Sequence, residues 1–397
     1  MFPRISDLIN HLFGTNLSIP IQSYGFMMAL AFFLGAVVLY RELKRLEKNG
    51  RIPVQKKTLT KGTPAGTGEL ILSGILGFIL GWKFLGILFD YDSFSMNPQS
   101  FILSSKGTLM GGILVGAGII FLTWYQKNAA RKDPPVKEEI TIHPYQLTGN
   151  IVLIAAIFGI LGAKIFDIFE NLDKLISDPI GTILSFDGMA FYGGLIIAAI
   201  AVIYYGHRNK ITMPNIIDSV APSLILAYSI GRIGCQLAGD GCWGIVNTAP
   251  MPAWLHFLPD WAWSFSYPHN VIDDGIRMAG CAGEHCFVLP NPVFPTPLYE
   301  TVAGLLIFSI LWMIRKRLAV PGYLFCIYLI MNGIERFFME KIRINPEHYF
   351  LGLKLTQAEI IAILLMILGG IGLIYFKHLK NLSEAGIASR TNKKHPS

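Results

Sequence analysis

Nine separate stretches of about 20 mostly apolar residues run through this chain, and each is long enough for a helix to cross a hydrocarbon core about 30 Å thick. They fall approximately at 19–40, 69–89, 107–125, 148–169, 188–206, 215–237, 297–314, 321–339 and 357–376. Only 15% of the 397 residues are charged, whereas soluble globular proteins have about 25%. The sequence therefore predicts an all-α polytopic integral membrane protein of about nine transmembrane helices, with 1–397 as a single membrane domain. It excludes a disordered chain, a coiled coil and an ordinary soluble enzyme.

The basic residues alternate between rich and poor connections. The first connection carries a dense group of them: Arg41, Lys44, Arg45, Lys48, Arg51, Lys56, Lys57 and Lys61. The next connection, 90–106, has Lys106 as its only basic residue. Because cytoplasmic loops are enriched in Lys and Arg, this alternation predicts an N-terminus outside and a cytoplasmic C-terminal tail, 378–397. The net charge of +7 is then mostly a matter of topology, and no nucleic-acid partner is expected.

One long loop, 238–296, is predicted on the outer face and is rich in Pro, Trp and Gly. Together with Cys235 at its edge, it holds four of the five cysteines: Cys235, Cys242, Cys281 and Cys286. Disulfides persist on oxidising faces, so we expect one here, and Cys281 to Cys286 is one such pairing. A metal site of Cys281, His285 and Cys286 is the alternative. Three tryptophans of the loop are expected to rest on the outer leaflet: Trp254, Trp261 and Trp263.

Residues 66–128 and 147–209 resemble two copies of one unit. Gly68, Gly81, Lys83, Pro98, Ile102, Leu103, Ser104 and Gly107 recur 81 positions later as Gly149, Gly162, Lys164, Pro179, Ile183, Leu184, Ser185 and Gly188. After one inserted residue, Gly111-Gly112 recurs as Gly193-Gly194. Each copy contains two spans, so the copies form a parallel repeat; chance similarity between apolar segments is the alternative. The lysine of each copy, Lys83 or Lys164, is expected to extend to the lipid head groups rather than to act in catalysis.

Arg232 lies inside the sixth span, where a charge costs roughly a few kcal/mol or more unless it has a partner or ligand. Several glycines surround it in the sequence and let the backbone approach a bulky group: Gly231, Gly234, Gly239, Gly241 and Gly244. A guanidinium binds phosphate oxygens through two parallel hydrogen bonds. The pattern therefore favours an anion or lipid head-group site, with an Arg232–Asp240 pair at the membrane edge as the alternative.

The eighth span ends with charged residues at helical spacing. Arg336, Glu340 and Arg343 share one face because residues three and four apart are neighbours on a helix, and Glu335 precedes them. The arrangement is typical either of a salt-bridged interfacial face or of a site that shares the outer side with Arg232.

Taken in order, these motifs resemble the prolipoprotein diacylglyceryl transferase family. The resemblance rests on Tyr24-Gly25, GAKIFDIF (162–169), FDGMAFYGGLI (186–196), GRIGCQLAGDGCWG (231–244), TPLYE (296–300) and ERFFMEKIR (335–343). It covers most of the chain apart from one repeat copy and the long loop. Family members have seven spans, so the duplicated two-helix unit accounts for the two extra spans here, with the first copy as the insertion.

The resemblance implies a reaction and a place. The enzyme would transfer the diacylglyceryl group of phosphatidylglycerol to the lipobox cysteine thiol of prolipoprotein signal peptides and release glycerol 1-phosphate, the first step of bacterial lipoprotein maturation. It would be a multi-pass protein of the bacterial inner membrane, with no cofactor and no metal.

The resemblance also places the site. Arg232 corresponds to the phospholipid-binding arginine and Arg336 to the second essential arginine. The expected catalytic residues are Arg232, Arg336, Tyr192, Glu340 and Asp240. The expected phosphatidylglycerol-binding residues are Arg232, Tyr24, Gly193, Gly194, Gly231, Gly234, Gly244 and Arg343.

Four positions depart from the family's pattern. The family has histidine at Tyr192, arginine at Lys164, asparagine at Cys235 and glutamate near Asp240. The histidine is the residue most often cast as the base that deprotonates the thiol. The base here is therefore open between Tyr192, Glu340 and Asp240, unless the cationic site lowers the pKa of the substrate thiol itself.

A second function is compatible with the same residues. A catalytically inactive or repurposed homologue would use the arginines to bind or transport phospholipid without chemistry.

Overall fold

The chain folds mainly into helices. The computed structural model describes residues 1–91, 94, 101, 104–132, 134, 136–184, 190–350 and 353–392. In chain order the elements are α1 (Ile5–Phe13), α2 (Ser23–Lys48), β1 (Gln55–Lys61), α3 (Thr67–Phe89), α4 (Leu109–Ala129), β2 (Val136–Ile142), α5 (Thr148–Glu170), α6 (Leu172–Ser177), α7 (Pro179–Leu184), α8 (Phe191–Arg208), α9 (Met213–Ala238), β3 (Ile276–Arg277), β4 (Phe287–Val288), α10 (Thr296–Ile314), α11 (Tyr323–Glu340), β5 (Glu347–Phe350), β6 (Leu353–Thr356) and α12 (Gln357–Asn392). The strands form three two-stranded sheets, β1–β2, β3–β4 and β5–β6.

The helices confirm the predicted fold class, an all-α polytopic membrane protein. Within the described ranges, seven of them are long and apolar enough to cross a membrane: α2, α3, α4, α5 with the turn before it, α9, α10 and α12. The fifth and eighth predicted spans are also helices, α8 and α11, each of 18 residues. Both are less apolar, because α8 ends on His207-Arg208 and α11 carries three charged residues near its end. The total of nine spans and the sides of the two termini stay predictions.

The chain forms two compact units. One unit contains residues 1–3, 23–55 and 143–397, and the other contains 4–22 and 56–142. In the second unit α3 packs along α4. The first unit is organised around α9, which contacts α2, α8, α10 and α11. The domain bounds proposed from the sequence, including the single membrane domain and the tail, stay predictions.

Small residues let the helices approach α9 closely. A Cβ atom added at Gly35 of α2 would lie 3.6 Å from the Ala227 Cβ of α9, and one added at Gly304 of α10 would collide with Ser229 of α9. At the other end of α9, Asp218 accepts hydrogen bonds from the backbone nitrogens at the start of α11, Gly322 at 2.7 Å and Phe325 at 3.0 Å. These contacts bring the C-terminal end of α9 together with the start of α10 and the end of α11.

Each predicted repeat copy folds around a pair of packed helices, α3 with α4 and α5 with α8. In the first pair the Thr108 nitrogen donates to the Trp82 carbonyl at 3.0 Å, and in the second the Ala190 nitrogen donates to Ala163 at 3.1 Å. These donors and acceptors occupy equivalent places in the two copies. The duplication itself stays a prediction, and part of its sequence match lies outside the described residues: Pro98, Ile102, Leu103, Ser185 and Gly188.

The two repeat lysines bind within the chain. Lys83 Nζ donates to the carbonyl oxygens of Phe101 at 3.0 Å and Lys106 at 2.8 Å. Lys164 forms an ion pair with Asp167 at 3.1 Å. Lys83 therefore ties its helix to the segment before α4, and Lys164 is paired within α5, in addition to any head-group contact.

The long loop after α9 has a folded core. Trp243, Tyr267, Leu289 and Val293 pack together in it, and the Tyr267 hydroxyl donates to Gln236 at 2.8 Å. A disulfide joins Cys281 and Cys286. The expected pairing is thus confirmed, and the alternative metal site that used both sulfurs is wrong.

Two of the three loop tryptophans are exposed as expected. Trp254 is 75% exposed and Trp261 is 47% exposed. Trp263 is instead half-buried, because its indole donates to the Ala249 carbonyl at 2.9 Å and its ring packs on Phe294. Trp263 thus also holds the loop together.

Candidate active site

Arg232 is held by a carboxylate from the neighbouring helix. It lies near the C-terminal end of α9, and its Nε is 3.0 Å from Oε2 of Glu300 in the first turns of α10. The Glu300 side chain is fully buried, so it replaces the water that the guanidinium loses on burial. The alternative in which Arg232 pairs with Asp240 is wrong. The guanidinium also lies 5.1 Å from the ring centre of Tyr228, an aromatic contact that further orients it.

Glu300 binds two more arginines from the end of α11. Its Oε1 is 3.3 Å from Arg336 Nη1 and 3.2 Å from Arg343 Nη1. Arg336 also reaches Glu340, one helical turn further on, at 2.9 Å. The face predicted from the spacing of Arg336, Glu340 and Arg343 is therefore an ion-pair network, and it is joined to Arg232 through Glu300.

The network has an excess of positive charge. Three guanidinium groups surround two carboxylates, those of Glu300 and Glu340. Glu335 is also close by and only 7% exposed, but neither of its oxygens has a hydrogen-bond partner among the described residues. A buried carboxylate without partners is costly in its ionised form, so we count Glu335 as neutral. With Glu335 counted as neutral, the network carries one uncompensated positive charge.

This charge is not completely buried. The three arginine side chains are partly exposed, at 18% for Arg232, 21% for Arg336 and 15% for Arg343, while Glu300 is not exposed at all. The buried carboxylate therefore fixes the guanidinium groups from inside and leaves some of their donors open. Such an arrangement binds the oxygens of a phosphate group.

Glu300 and Glu335 have no assigned role in the prediction from sequence. Glu300 is the last residue of the TPLYE motif and lies in a predicted span. A carboxylate at that depth is as expensive as Arg232, so the two charges in neighbouring spans could have been paired on that ground alone.

Tyr24 and Asp240 flank Arg232. Gly234 of α9 lies against the first turn of α2, since an added Cβ there would be 3.0 Å from Met27 and 3.4 Å from Tyr24. Asp240 follows α9 and accepts a hydrogen bond from the Cys242 nitrogen at 3.2 Å. The predicted neighbourhood of Tyr24, Gly234, Asp240 and Arg232 is thus formed at one end of the unit.

Gly231 and Gly244 differ in the space that each leaves for a side chain. An added Cβ at Gly231 would make only an ordinary contact, 3.6 Å from Met28 Sδ. At Gly244 it would collide with the Ile342 carbonyl oxygen and lie 2.9 Å from Thr296. Gly244 forms a β-bridge with Arg343, so its lack of a side chain positions one of the three arginines.

Gly244→Ala is therefore expected to lower stability, whereas Gly231→Ala is expected to leave it nearly unchanged. The alanine at 244 must push back backbone rather than a flexible side chain, at a cost of about 1–3 kcal/mol. Thermal unfolding midpoints of the two variants in one detergent measure the difference. Equal midpoints would show that the 244–343 bridge does not need glycine.

Tyr192, Gly193 and Gly194 lie in the first turn of α8. An added Cβ at Gly194 would be 2.6 Å from the Gly159 carbonyl oxygen and 3.2 Å from Ala163, and one at Gly193 would collide with Phe166. Both glycines therefore serve the close packing of α8 on α5. Their role in lipid binding, like the catalytic role of Tyr192, stays a prediction.

The comparisons with known proteins point in one direction. The sequence model of the family described as "Prolipoprotein diacylglyceryl transferase" matches residues 107–375. Among curated proteins, a phosphatidylglycerol--prolipoprotein diacylglyceryl transferase of Chlorobaculum tepidum is 29% identical over 231 residues, which are 54% of this chain and 69% of that protein. The proteins of the same name from Clostridium novyi and Staphylococcus aureus MSSA476 are each 28% identical.

The coverage of these relatives is unequal. The Clostridium novyi alignment spans 98% of that protein but 72% of this chain. The Staphylococcus aureus alignment spans 93% of that protein and 75% of this chain. About a quarter of this chain therefore lies outside each of these two alignments, and the insertion of one repeat copy stays a prediction.

Proposed function

Since the chain belongs to the prolipoprotein diacylglyceryl transferase family, we propose that it transfers the diacylglyceryl group of phosphatidylglycerol to the lipobox cysteine thiol of prolipoproteins. Membership confirms the resemblance stated from the motifs and confirms that the chain is a transferase enzyme. It is also a multi-pass membrane protein. Its location in a bacterial inner membrane and the details of the reaction belong to the proposal.

The observation that carries the proposal is the group of three arginines around the buried Glu300. The phosphodiester of phosphatidylglycerol has one negative charge, and the ion-pair network has one uncompensated positive charge. Arg232 and Arg336 offer partly exposed donors from two helices. The head group would therefore be bound without leaving a net charge in the membrane.

The same charge serves the chemical step. The thiolate attacks C3 of the glycerol that carries the acyl chains, so that a carbon–sulfur bond forms and the carbon–oxygen bond to phosphate breaks. The electron pair of that bond leaves with glycerol 1-phosphate, whose phosphate gains a second negative charge. Donors fixed in place stabilise such developing charge because they need no reorganisation during the reaction.

The proton of the thiol needs an acceptor, because the neutral thiol is a weak nucleophile. Glu340 has both oxygens engaged, one by Arg336 and the other by Asn345 at 2.6 Å. Asp240 is only half-buried and accepts from a backbone nitrogen. This difference favours Asp240 over Glu340 as a carboxylate base, with Tyr192 as the third candidate.

Tyr192→Phe tests the third candidate. If the phenol takes the proton, the variant is expected to lose about 10²–10⁴-fold in rate, the usual contribution of a general base. The measurement is the pH–rate profile for transfer to a lipobox peptide. A nearly unchanged rate with the same pH profile would assign proton transfer to Asp240 or to the substrate thiol alone.

The proposed function is tested in cells by complementation. A bacterial strain depleted of its own transferase is supplied with this chain, and the N-termini of its lipoproteins are analysed by mass spectrometry. We expect growth and cysteine carrying a diacylglyceryl group. Stable membrane insertion without the modification would favour the phospholipid-binding or transport alternative.

A further inference from the structure

Two thiols and a carboxylate converge beside Arg232. The potential ligand atoms of Cys235, Asp240 and Cys242 all lie within 4.8 Å of one another. Both cysteines are free thiols. The resemblance to the family gives a role to Asp240 but none to the two cysteines, since the family has asparagine at Cys235.

The backbone around the cluster is held in place. Cys235 lies in the last turn of α9, and its carbonyl accepts a hydrogen bond from the Gly239 nitrogen at 2.9 Å. Gly239 and Gly241 have φ angles of +66° and +85°, a conformation that glycine adopts without strain, and they fold the chain back over the helix end. The Cys242 carbonyl accepts a bond from the Thr296 hydroxyl at 2.7 Å. The backbone of this turn therefore holds Cys242 next to Cys235.

We propose that Cys235, Cys242 and Asp240 form a binding site for a soft divalent cation of the Zn²⁺ or Cd²⁺ type. Thiolate sulfur and carboxylate oxygen are the ligands that Zn²⁺ takes, at about 2.3 Å and 2.0–2.2 Å from the metal. Tetrahedral ligands at these lengths are roughly 3.5–3.8 Å apart, so a small inward movement closes the site. The nearby Asp240 carboxylate favours a metal site over a disulfide, because a disulfide between Cys235 and Cys242 would not involve Asp240.

The charges around the cluster support it. Two thiolates and one carboxylate would bind a divalent cation with one negative charge left over. Arg232 Nη1 is 4.0 Å from Cys235 Sγ and offsets that charge, while the guanidinium remains paired with Glu300 through Nε. Three protein ligands leave a fourth position open. A filled site therefore occupies the Asp240 carboxylate and part of the positive charge that an empty site leaves available for phosphate binding and transfer.

The experiment uses the full-length protein in detergent with Cys281→Ala and Cys286→Ala, so that reduction frees no second thiol pair. This parent chain is reduced, freed of metal and titrated with Cd²⁺ alone. We expect a thiolate-to-metal charge-transfer absorption that saturates at one ion per chain. Cys235→Ser and Cys242→Ser are expected to lose it, and Asp240→Asn to bind Cd²⁺ more weakly with both thiols present. Cys326→Ser is the matched control, because Cys326 is also a buried free thiol but lies in the first turn of α11, and it should bind like the parent chain.

Three results would overturn the site. They are unchanged binding in both the Cys235→Ser and Cys242→Ser variants, no absorption in the reduced parent chain, and a Cys235–Cys242 disulfide found by alkylation and mass spectrometry in the protein purified without reductant. Thermal unfolding of each variant verifies that it is folded. If a serine variant does not fold, weaker Cd²⁺ binding by Asp240→Asn provides the test of the site. The titration contains no lipid or peptide, so its failure leaves the proposed transferase activity untouched.

Discussion

Replacing Arg232 with alanine is expected to lower transfer from phosphatidylglycerol to a lipobox peptide by about 10²–10³-fold or more, the usual effect of removing one donor from a developing oxyanion. The substitution removes the donor nearest to the glycine-rich turn. The protein should still fold, because Glu300 keeps two other partners, Arg336 at 3.3 Å and Arg343 at 3.2 Å. The measurement is the initial rate with labelled phosphatidylglycerol at saturating peptide.

Arg315→Ala is the matched control for Arg232→Ala. Arg315 is bound to the buried Glu42 at 2.7 Å, and Glu42 also keeps a second arginine, Arg45, at 2.7 Å. Arg315→Ala thus removes the same kind of ion pair outside the proposed site. Arg315 lies just beyond the C-terminal end of α10, whereas Glu300 lies near its N-terminal end. We expect a transfer rate close to that of the unsubstituted chain. Equal losses in the two variants would mean that Arg232 acts through stability and not through the lipid phosphate.

Glu300→Gln is expected to lower both stability and activity strongly. It removes the charge shared by three arginines in a fully buried position, and breaking a buried ion pair costs about 3–5 kcal/mol. We expect a lower unfolding midpoint and loss of transfer, because the guanidinium groups would repel one another and move. Thermal unfolding and the transfer rate are measured on the same preparation.

Glu335→Gln makes the same change in the carboxyl group next to Arg336. Its oxygens have no hydrogen-bond partner within the part of the chain that the structure describes, so a neutral amide replaces a group that we count as neutral. We expect a midpoint near that of the unsubstituted chain. A loss of stability as large as that of Glu300→Gln would show that Glu335 is ionised and that the network has no surplus charge.

The sequence predicted contacts within one helix better than contacts between helices. Arg336 and Glu340 are one turn apart, so their spacing alone indicated the pair that is found at 2.9 Å. Arg232 and Glu300 belong to different helices, and only the packing of α9 on α10, made close by Gly304, brings them to 3.0 Å. The expectation for Arg232 was therefore right about a partner or ligand and wrong about Asp240.

The glycines show the same limit. The glycines around Arg232 indicated that some group packs closely against the backbone there, but the sequence did not identify that group. At Gly244 the approaching group is the Ile342 backbone, and at Gly234 it is the Met27 side chain. Gly231 has room for a methyl group, so only a bound lipid would require glycine there. Pattern alone does not separate helix packing from ligand binding, because both favour the smallest residue.

The central claim is that the arginine network around Glu300 binds phosphatidylglycerol for transfer and not for binding alone. The most direct measurement incubates the purified chain with phosphatidylglycerol, labelled in its glycerol head group, and a lipobox peptide. The peptide is then weighed by mass spectrometry and the released head group is identified. The account predicts a diacylglyceryl thioether on the cysteine and an equal amount of labelled glycerol 1-phosphate. Saturable binding of the lipid with an unmodified peptide and no released head group would contradict it.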